Sequence, residues 1–483
     1  MALSHRCDAR QLADMRRRRA QVSNPIAIDA LPPGFLRAVF QALPADQRAR
    51  CACVSRAWRA LLADPALWLR LDISGLTCRF DEDALLFATE RARGRLEVLN
   101  IDRLLSFDEY VDVALTVHAV AEENAASLRE IRGLCFDDHD MEVTHGVAEL
   151  QELLALAPAL EVLQSPFVET DCLTAARLLR HDPPFGPLRM DHLTVVRNES
   201  EADFRAMVAE LTTHGSLTQL QVRVDYDVLD EAPLSTDELE LVVDAALTGG
   251  FKTLQICDCG LTPAAAPALV RLLSSAALTK LHLENSDSFY TLLDAPGYAL
   301  LANALRGNRT LRDLALKSVI WLDVANEVGP LFDALTGHAS LRCLNFNSCY
   351  LGHADDENRH LAGAELRAAI RIFGRAIGLL VAANAPALEQ LRISFREAAG
   401  ANVFGPLADA LPGNTHLQLL EFEWYENNVG EAFMRRRLLP ALRANTSLRK
   451  IDGFVSPNNT ALAEAVQLIN LREAARVAAE AAA

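Results

Sequence analysis

The chain has 483 residues, of which 51% are hydrophobic, and this length exceeds what one ordinary hydrophobic core accommodates. Its formal net charge of −17 disfavours nucleic acid as a partner, because phosphates call for a broad basic surface. No uninterrupted apolar stretch is long enough to cross a bilayer, so we also expect no membrane partner.

The N-terminal segment is polar and rich in arginine, with four consecutive arginines at Arg16 to Arg19. No hydrophobic core follows these charges, which argues against a secretory signal. We interpret residues 1–25 as a flexible basic arm, either a nuclear import signal or an ordinary solvated segment. The ten cysteines are dispersed along the chain, as in proteins of a reducing compartment, so we expect a cytoplasmic or nuclear protein.

A small helical module is predicted next. Its first helix follows Pro32-Pro33 and carries an apolar stripe. A second helix is predicted from Asp46, an N-cap candidate, to Leu62. Asp64-Pro65 then breaks this helix, and Leu67-Trp68 begins another turn. Three short helices make a small core, which would gain from a partner's surface. The apolar stripe of the first helix consists of Phe35, Leu36, Val39, Phe40 and Leu43.

The order and spacing of the landmarks in this module resemble those of an F-box, and we assign residues 26–73 to such a domain. One departure is Gln47-Arg48-Ala49, where the family tends to carry Glu-Leu-Leu. This departure weakens one apolar contact. The resemblance implies a Skp-type adaptor as partner and, through it, a cullin–RING ubiquitin ligase. The landmarks are Leu31-Pro32, Val39-Phe40, Val54-Ser55-Arg56-Ala57-Trp58 and Asp64-Pro65-Ala66-Leu67-Trp68. The expected adaptor-binding residues are Leu31, Pro32, Phe35, Leu36, Val39, Phe40, Leu43, Val54, Trp58, Leu67 and Trp68.

A repeat follows, in which the pattern apolar-x-x-apolar-x-apolar recurs with an average spacing of roughly 32 residues. The alternating part of the pattern predicts a short strand, and intervening segments such as 263–273 and 298–308 predict helices. One strand and one helix per repeat give parallel strands, because each strand begins at the same edge of the sheet. The copies begin at Leu96, Leu128, Leu160, Met190, Leu217, Phe251, Leu278, Leu311, Ser340, Leu388, Leu417 and Leu448.

Asparagine precedes the predicted strand by three or four residues in five copies. Asparagine tolerates the left-handed conformation that closes a helix C-terminus, so we predict that these residues cap helices in that conformation. The five residues are Asn124, Asn308, Asn384, Asn414 and Asn445.

The repeated pattern resembles leucine-rich repeats of the ribonuclease-inhibitor and cysteine-containing types, over residues 94–470. The helical pattern of residues 471–483 is interpreted as a C-terminal cap. The resemblance implies an α/β solenoid, with parallel strands on the concave side and helices outside, behind a small all-α F-box domain. Polar residues between the apolar strand positions would then line the concave face and bind a protein substrate. The candidates are Arg223, Asp225, His282, Glu284, Lys317, Asn345, Asn347, Arg392, Arg396, Glu423 and Trp424.

The two resemblances together imply the substrate-recognition subunit of a Skp–cullin–F-box ubiquitin ligase, without catalytic residues, cofactor or metal of its own. One alternative is a non-catalytic leucine-rich-repeat scaffold that recruits no ligase. Another is an F-box protein with which a virus or bacterium redirects a host ligase. An enzyme is the competing class: residues 136–146 gather three aspartates and two histidines, but their spacing matches no metal motif.

Overall fold

The computed structural model describes most of the chain in fifteen segments. The chain forms two compact units. One unit comprises Met1–Cys135 with Gln151–Gln164, and the other Phe136–Leu150 with Ser165–Ala483. Among the described residues, no helix combines the length and the apolar character needed to span a membrane. The described segments are 31–43, 45–72, 82–101, 113–134, 143–164, 168–197, 200–224, 234–257, 261–284, 293–317, 329–349, 363–395, 400–424, 431–453 and 460–482.

The first unit starts with short helices and continues into a parallel sheet. Strands β1 to β4 pair in parallel and in chain order, with Leu71, Leu99, Ile131 and Leu163 aligned and fully buried. The strand that ends the helical module is thus the first strand of this sheet. The elements up to β4 are α1 (Pro33–Ala42), α2 (Ala45–Cys51), α3 (Arg56–Leu62), a 3-10 turn (Pro65–Leu67), β1 (Arg70–Asp72), α4 (Glu82–Ala92), β2 (Val98–Asn100), α5 (Val113–Glu123), β3 (Glu130–Arg132), α6 (Val143–Leu156) and β4 (Val162–Gln164).

The second unit alternates strands and helices. In the part of it that the structure describes, β5 and β7 to β15 form one parallel sheet in chain order. The elements are β5 (Glu169–Asp171), α7 (Cys172–Leu179), β6 (Arg189–Met190), β7 (His192–Arg197), α8 (Glu201–Leu211), β8 (Gln219–Val224), α9 (Thr236–Gly249), β9 (Thr253–Cys257), α10 (Ala266–Leu273), β10 (Lys280–Glu284), α11 (Ala295–Gly307), β11 (Asp313–Lys317), α12 (Gly329–Leu335), β12 (Cys343–Cys349), α13 (Gly363–Ala382), β13 (Gln390–Phe395), α14 (Gly400–Ala410), β14 (Leu419–Trp424), α15 (Glu431–Phe433), α16 (Leu439–Ala444), β15 (Lys450–Gly453) and α17 (Thr460–Ala482).

Aligned leucines form the core between this sheet and its helices. One column runs through consecutive strands in register, and every member is buried. The first apolar residue of every predicted repeat copy is also buried, from Leu96 to Leu448. Each helix from α7 to α13 packs against the next helix along the chain. The predicted α/β fold with parallel strands is therefore confirmed. The column comprises Leu220, Leu254, Leu281, Leu314, Leu344, Leu391, Leu420 and Ile451.

The repeat asparagines connect neighbouring repeats, and their conformation differs from the prediction. Asn308 has an extended backbone at φ −73°, and its Nδ2 donates to the Leu273 carbonyl oxygen at 2.6 Å. Its Oδ1 accepts from the Leu311 amide at 2.8 Å. The extended backbone directs the amide group toward the preceding helix end, where it satisfies a carbonyl that the helix leaves open. The predicted left-handed conformation is correct at Asn384 and wrong at Asn124, Asn308, Asn414 and Asn445.

Histidine takes the place of this asparagine in the repeat that begins at Ser340. His338 is buried, and its Nε2 lies 3.1 Å from the Leu305 carbonyl oxygen. Its Nδ1 accepts from the Leu341 amide at 3.2 Å. A carbonyl only accepts and a backbone amide only donates, so these contacts fit the neutral ring with its proton on Nε2. The histidine therefore makes the same two bonds as Asn308.

The last helix is longer than the predicted cap. Helix α17 begins at Thr460 and continues through residues 471–482 without a break. Its first turns bury Ala461, Ala465 and Ile469, whereas Leu471 and Val477 are exposed. The segment predicted as a cap is thus the second half of a helix whose first half packs against β15.

Candidate functional site

The helical module has an aromatic core built from both of its tryptophans. The rings of Phe40 and Trp58 meet edge to face, with centroids 5.2 Å apart. Trp68 is buried, and its Nε1 donates to the Leu62 carbonyl oxygen at 2.7 Å. Edge-to-face aromatic pairs stabilise a core beyond the area that they bury. The tryptophans therefore hold together helices that are too short to form a core alone.

The predicted second helix is in fact two helices, α2 and α3. Ser55 interrupts it, with an extended backbone and a hydroxyl that accepts from the Trp58 amide at 3.1 Å. Serine is a strong N-cap because its side chain replaces a missing helical acceptor. Asp46 lies within α2, so its prediction as the N-cap is wrong. The predicted break at Asp64-Pro65 is correct, since the Asp64 carboxylate caps the following turn at the Ala66 amide.

Arg48 fills the position at which the sequence departs from the F-box pattern. It is buried, and its guanidinium donates to the carbonyl oxygens of Leu67 and Arg70, the latter at 3.0 Å. The same guanidinium lies over the Trp68 ring, 5.1 Å from its centroid. Burial lowers the pKa of Arg48, an effect that the nearby Asp72 opposes. The sequence pattern predicts only a weakened apolar contact at this position and does not indicate its polar role.

The module also exposes apolar side chains. Phe35 and Val39 are 56% and 40% exposed and lie one turn apart on α1, and Val54 is 65% exposed between α2 and α3. We call these three residues the apolar surface of the module. Of the other predicted adaptor-binding residues, four are buried, namely Leu36, Phe40, Leu67 and Trp68. Pro32 is exposed, and Leu31, Leu43 and Trp58 are half-buried.

A polar row crosses the sheet of the second unit. Its members are aligned strand by strand, with the small Ala315 between His282 and Asn345. Burial alternates along β10, and successive side chains of a strand point to opposite faces, so the row projects from the face opposite the leucine column. Asn345 is only 7% exposed and is therefore less accessible than the sequence predicted. The row comprises Gln221, Gln255, His282, Asn345, Arg392 and Glu421.

Ion pairs between strands neutralise charges on this face. Lys317 Nζ lies 3.3 Å from Glu284 Oε2, so the structure brings two of the predicted substrate-binding residues together. Arg392 pairs with Glu421 at 3.2 Å, and Lys280 pairs with Asp313 at 3.4 Å. Arg223 pairs with Glu169 of β5, a residue that the sequence analysis did not single out. In the described part of the face, charged side chains of neighbouring strands therefore form ion pairs with one another.

The thiol of Cys257 and the imidazole of His282 on this face are shifted toward their neutral forms. Burial raises the pKa of the Cys257 thiol to about 11, and the neighbouring Glu284 carboxylate adds to the effect. Burial also lowers the pKa of His282, and Lys317 acts in the same direction. A neutral thiol is a poor nucleophile and a poor metal ligand. The described side chains of this face interact through hydrogen bonds and charge pairs.

The remaining predicted substrate-binding residues fall outside what the structure describes. Asp225 and Arg396 lie outside the described segments. Asn347, Glu423 and Trp424 belong to β12 and β14, but their side chains are outside the described residues. The basic arm also lies outside the described residues. Of the candidate metal segment 136–146, residues 136–142 lie outside them, and residues 143–146 begin α6 with side chains outside the described residues. Their predicted roles stay predictions.

Comparison with known proteins identifies one family. Residues 28–74 match the family described as F-box-like. No curated protein matches the chain. The matched segment contains the aromatic core, Arg48 and the apolar surface described above. The chain therefore carries an F-box-like domain at residues 28–74.

Proposed function

We propose that the chain is the substrate-recognition subunit of a Skp–cullin–F-box ubiquitin ligase. The F-box-like domain would bind a Skp-type adaptor, and the repeat of the second unit, a leucine-rich repeat in this proposal, would bind a protein substrate. The chain would supply no catalytic residue and would act in the cytoplasm or the nucleus. The observation that carries the proposal is the F-box-like match together with the exposed apolar surface inside it.

The apolar surface supports adaptor binding on energetic grounds. Phe35, Val39 and Val54 lie in water in the isolated chain, although the module has a buried core of its own. Fully burying one such side chain stabilises a complex by about 1.5–3 kcal/mol. Two or three of these side chains therefore supply a large part of the affinity of a stable protein complex.

The sheet face that carries the polar row supports the proposal of a protein substrate. Its hydrogen-bonding amides and paired charges resemble the polar part of a protein interface, and its described charges are balanced by neighbouring strands. In such a ligase the receptor only positions the substrate. The lysines of the substrate then meet the ubiquitin-charged enzyme at a raised local concentration.

Co-expression with a Skp-type adaptor tests the proposal. The wild-type chain is expected to form an equimolar complex in affinity capture and gel filtration. Phe35→Ser/Val39→Ser should weaken the complex about a hundredfold, since two buried side chains contribute about 3 kcal/mol or more. Leu173→Ser is the matched control, because Leu173 is an exposed leucine of the second unit. Circular dichroism of each variant checks folding.

The outcome also decides between the ligase subunit and a scaffold. A folded wild-type chain that captures no adaptor would contradict the proposal and leave a binding scaffold that recruits no ligase. An adaptor complex that then fails to bind the cullin–RING partner in gel filtration would restrict the function to adaptor binding.

A further inference from the structure

Helix α13 carries a basic stripe on its exposed side. Arg367, Arg371 and Arg375 follow one another at a spacing of four residues, and all three side chains are exposed. Residues at this spacing share one helix face. Exposed apolar residues border the stripe: Leu379 is 56% exposed one turn beyond Arg375, and Ile372 is 39% exposed.

The opposite side of α13 is fixed by packing. Ile370, Phe373 and Ile377 are buried in the core. Gly378 is seven residues beyond Arg371 and therefore lies on nearly the same side of α13 as the arginines. It packs against α14, where a Cβ atom would come within 2.6 Å of Pro406 Cβ, so this helix contact lies beside the exposed stripe.

The three arginines have no carboxylate partner among the described residues. Like charges at this spacing destabilise a helix, and no acidic side chain that the structure describes compensates for them. On other helices of the unit, Arg306 and Arg472 donate to uncharged oxygens. Six further arginines of its helical segments are ion-paired. These pairs are Arg205–Glu201, Arg271–Asp244, Arg435–Glu431, Arg437–Asp409, Arg443–Glu464 and Arg476–Glu473.

We propose that the stripe of Arg367, Arg371 and Arg375, with Ile372 and Leu379, is a docking surface for an acidic amphipathic segment of a partner protein. Carboxylates of the partner would pair with the arginines, and its apolar side chains would cover Ile372 and Leu379. This surface goes beyond the proposed ligase function, because it involves neither the F-box-like domain nor the polar row.

A protein fits this surface better than a phosphate polymer does. The stripe spans only about 12 Å of helix, at a rise of about 1.5 Å per residue. A phosphate polymer would extend beyond the three arginines along a chain whose net charge is −17, whereas a short acidic segment contacts only the stripe. The apolar residues beside the arginines would gain from burial against apolar side chains, and phosphates offer none.

The test uses the full-length chain and a synthetic probe. The probe is a fluorescent amphipathic peptide with glutamates on one helix face and leucines on the other, and its binding is followed by anisotropy at low salt. Arg371→Glu/Arg375→Glu should weaken binding about tenfold, since attraction becomes repulsion at two positions. Arg371→Lys/Arg375→Lys should retain binding. The matched control, Arg205→Glu/Arg271→Glu, changes the net charge equally on other helices and should leave binding unchanged.

Three results would overturn the proposal. The first is equal weakening in the control, which would mean that only the overall charge matters. The second is unchanged binding when glutamine replaces glutamate in the probe. The third is tighter binding, abolished by Arg371→Glu/Arg375→Glu, of poly-deoxythymidine or of phosphatidylserine vesicles. If the charge-reversed chain fails to fold by circular dichroism, Arg371→Gln/Arg375→Gln replaces it, with a smaller loss of affinity expected.

Discussion

The guanidinium of Arg48 covers the ring of Trp68 at 5.1 Å while it donates to the Leu67 and Arg70 carbonyl oxygens on either side. One buried side chain thereby joins α2 to the turn and to β1, the first strand of the sheet in its unit. An aliphatic residue at this position would cover the ring but leave both carbonyls without this donor. The helical module is thus connected to its sheet by polar contacts as well as by packing.

Removal of this arginine should destabilise the first unit. Arg48→Ala is expected to lower the free energy of unfolding by about 2–4 kcal/mol, because it opens a cavity beside Trp68 and leaves two buried carbonyls less satisfied. Arg48→Leu should cost less than Arg48→Ala, since leucine restores the contact with the ring. Urea denaturation followed by tryptophan fluorescence measures both values. Arg56→Ala, at an exposed position, is the control and should change stability by less than about 0.5 kcal/mol.

Periodicity alone predicted the repeat, because a position such as Leu254 is determined by its spacing from its neighbours and by the need to bury an apolar side chain. The helix that precedes Asn308 was predicted for the same reason. The backbone conformation of Asn308 was not, since it depends on a carbonyl about one repeat earlier in the sequence. Side-chain contacts across such distances are not readable from local propensity.

In the candidate site, too, local features were predictable from the sequence and long-range contacts were not. The landmarks of the F-box-like domain are local and were predictable, but spacing could not separate the buried Phe40 from the exposed Phe35 in their roles. The partners of Arg48 and of Arg223 lie 19 to 54 residues away. The sequence offered one sign of the role of Arg48, namely a charged residue at a position that is apolar in the family. This sign indicates a buried polar contact only when the carbonyl oxygens that accept from Arg48 are known.

The buried asparagines predict a second stability effect. Asn445 is fully buried, donates to the Leu411 and Asn414 carbonyl oxygens at 2.7 and 2.8 Å, and accepts from the Leu448 amide at 2.9 Å. Asn445→Ala should therefore destabilise the second unit by about 2–4 kcal/mol, because several buried backbone groups lose their partner at once. Asn303→Ala, on the exposed side of α11, should change stability by less than about 0.5 kcal/mol. Similar values for both variants would contradict the bridging role.

Thiol chemistry should distinguish two cysteines. Cys257 is buried and its pKa is raised to about 11, so only about one thiol in a thousand is ionised at pH 8. Cys53 is exposed on the helical module. Iodoacetamide at pH 8 should therefore modify Cys53 in the native chain and leave Cys257 almost unmodified, as peptide mass spectrometry would show. Equal rates under native conditions would contradict the burial of Cys257, and equal rates in urea are the control.

The histidine that replaces asparagine should make the second unit sensitive to acid. Burial lowers the pKa of His338 in the folded chain below its ordinary value of 6.5, so the unfolded chain binds the proton first as pH falls. The stability that His338 provides is therefore complete above about pH 6.5 and declines below it, by up to about 1.4 kcal/mol for each tenfold difference in proton affinity. Protonation also places a donor on Nδ1, which faces the Leu341 amide donor.

His338→Asn separates this titration from the bridge itself. Asparagine makes both bonds at Asn308, so the variant should match the wild-type chain near neutral pH and lose less stability as pH falls to about 5. His338→Ala should be less stable at every pH, because it removes the bridge together with the charge. Urea midpoints of the three proteins across this pH range provide the measurement. The buried His214 and the half-buried His192 and His282 also have lowered pKa values, so part of the acid sensitivity should persist in His338→Asn. Parallel pH profiles for the wild type and His338→Asn would show that His338 does not titrate in this range.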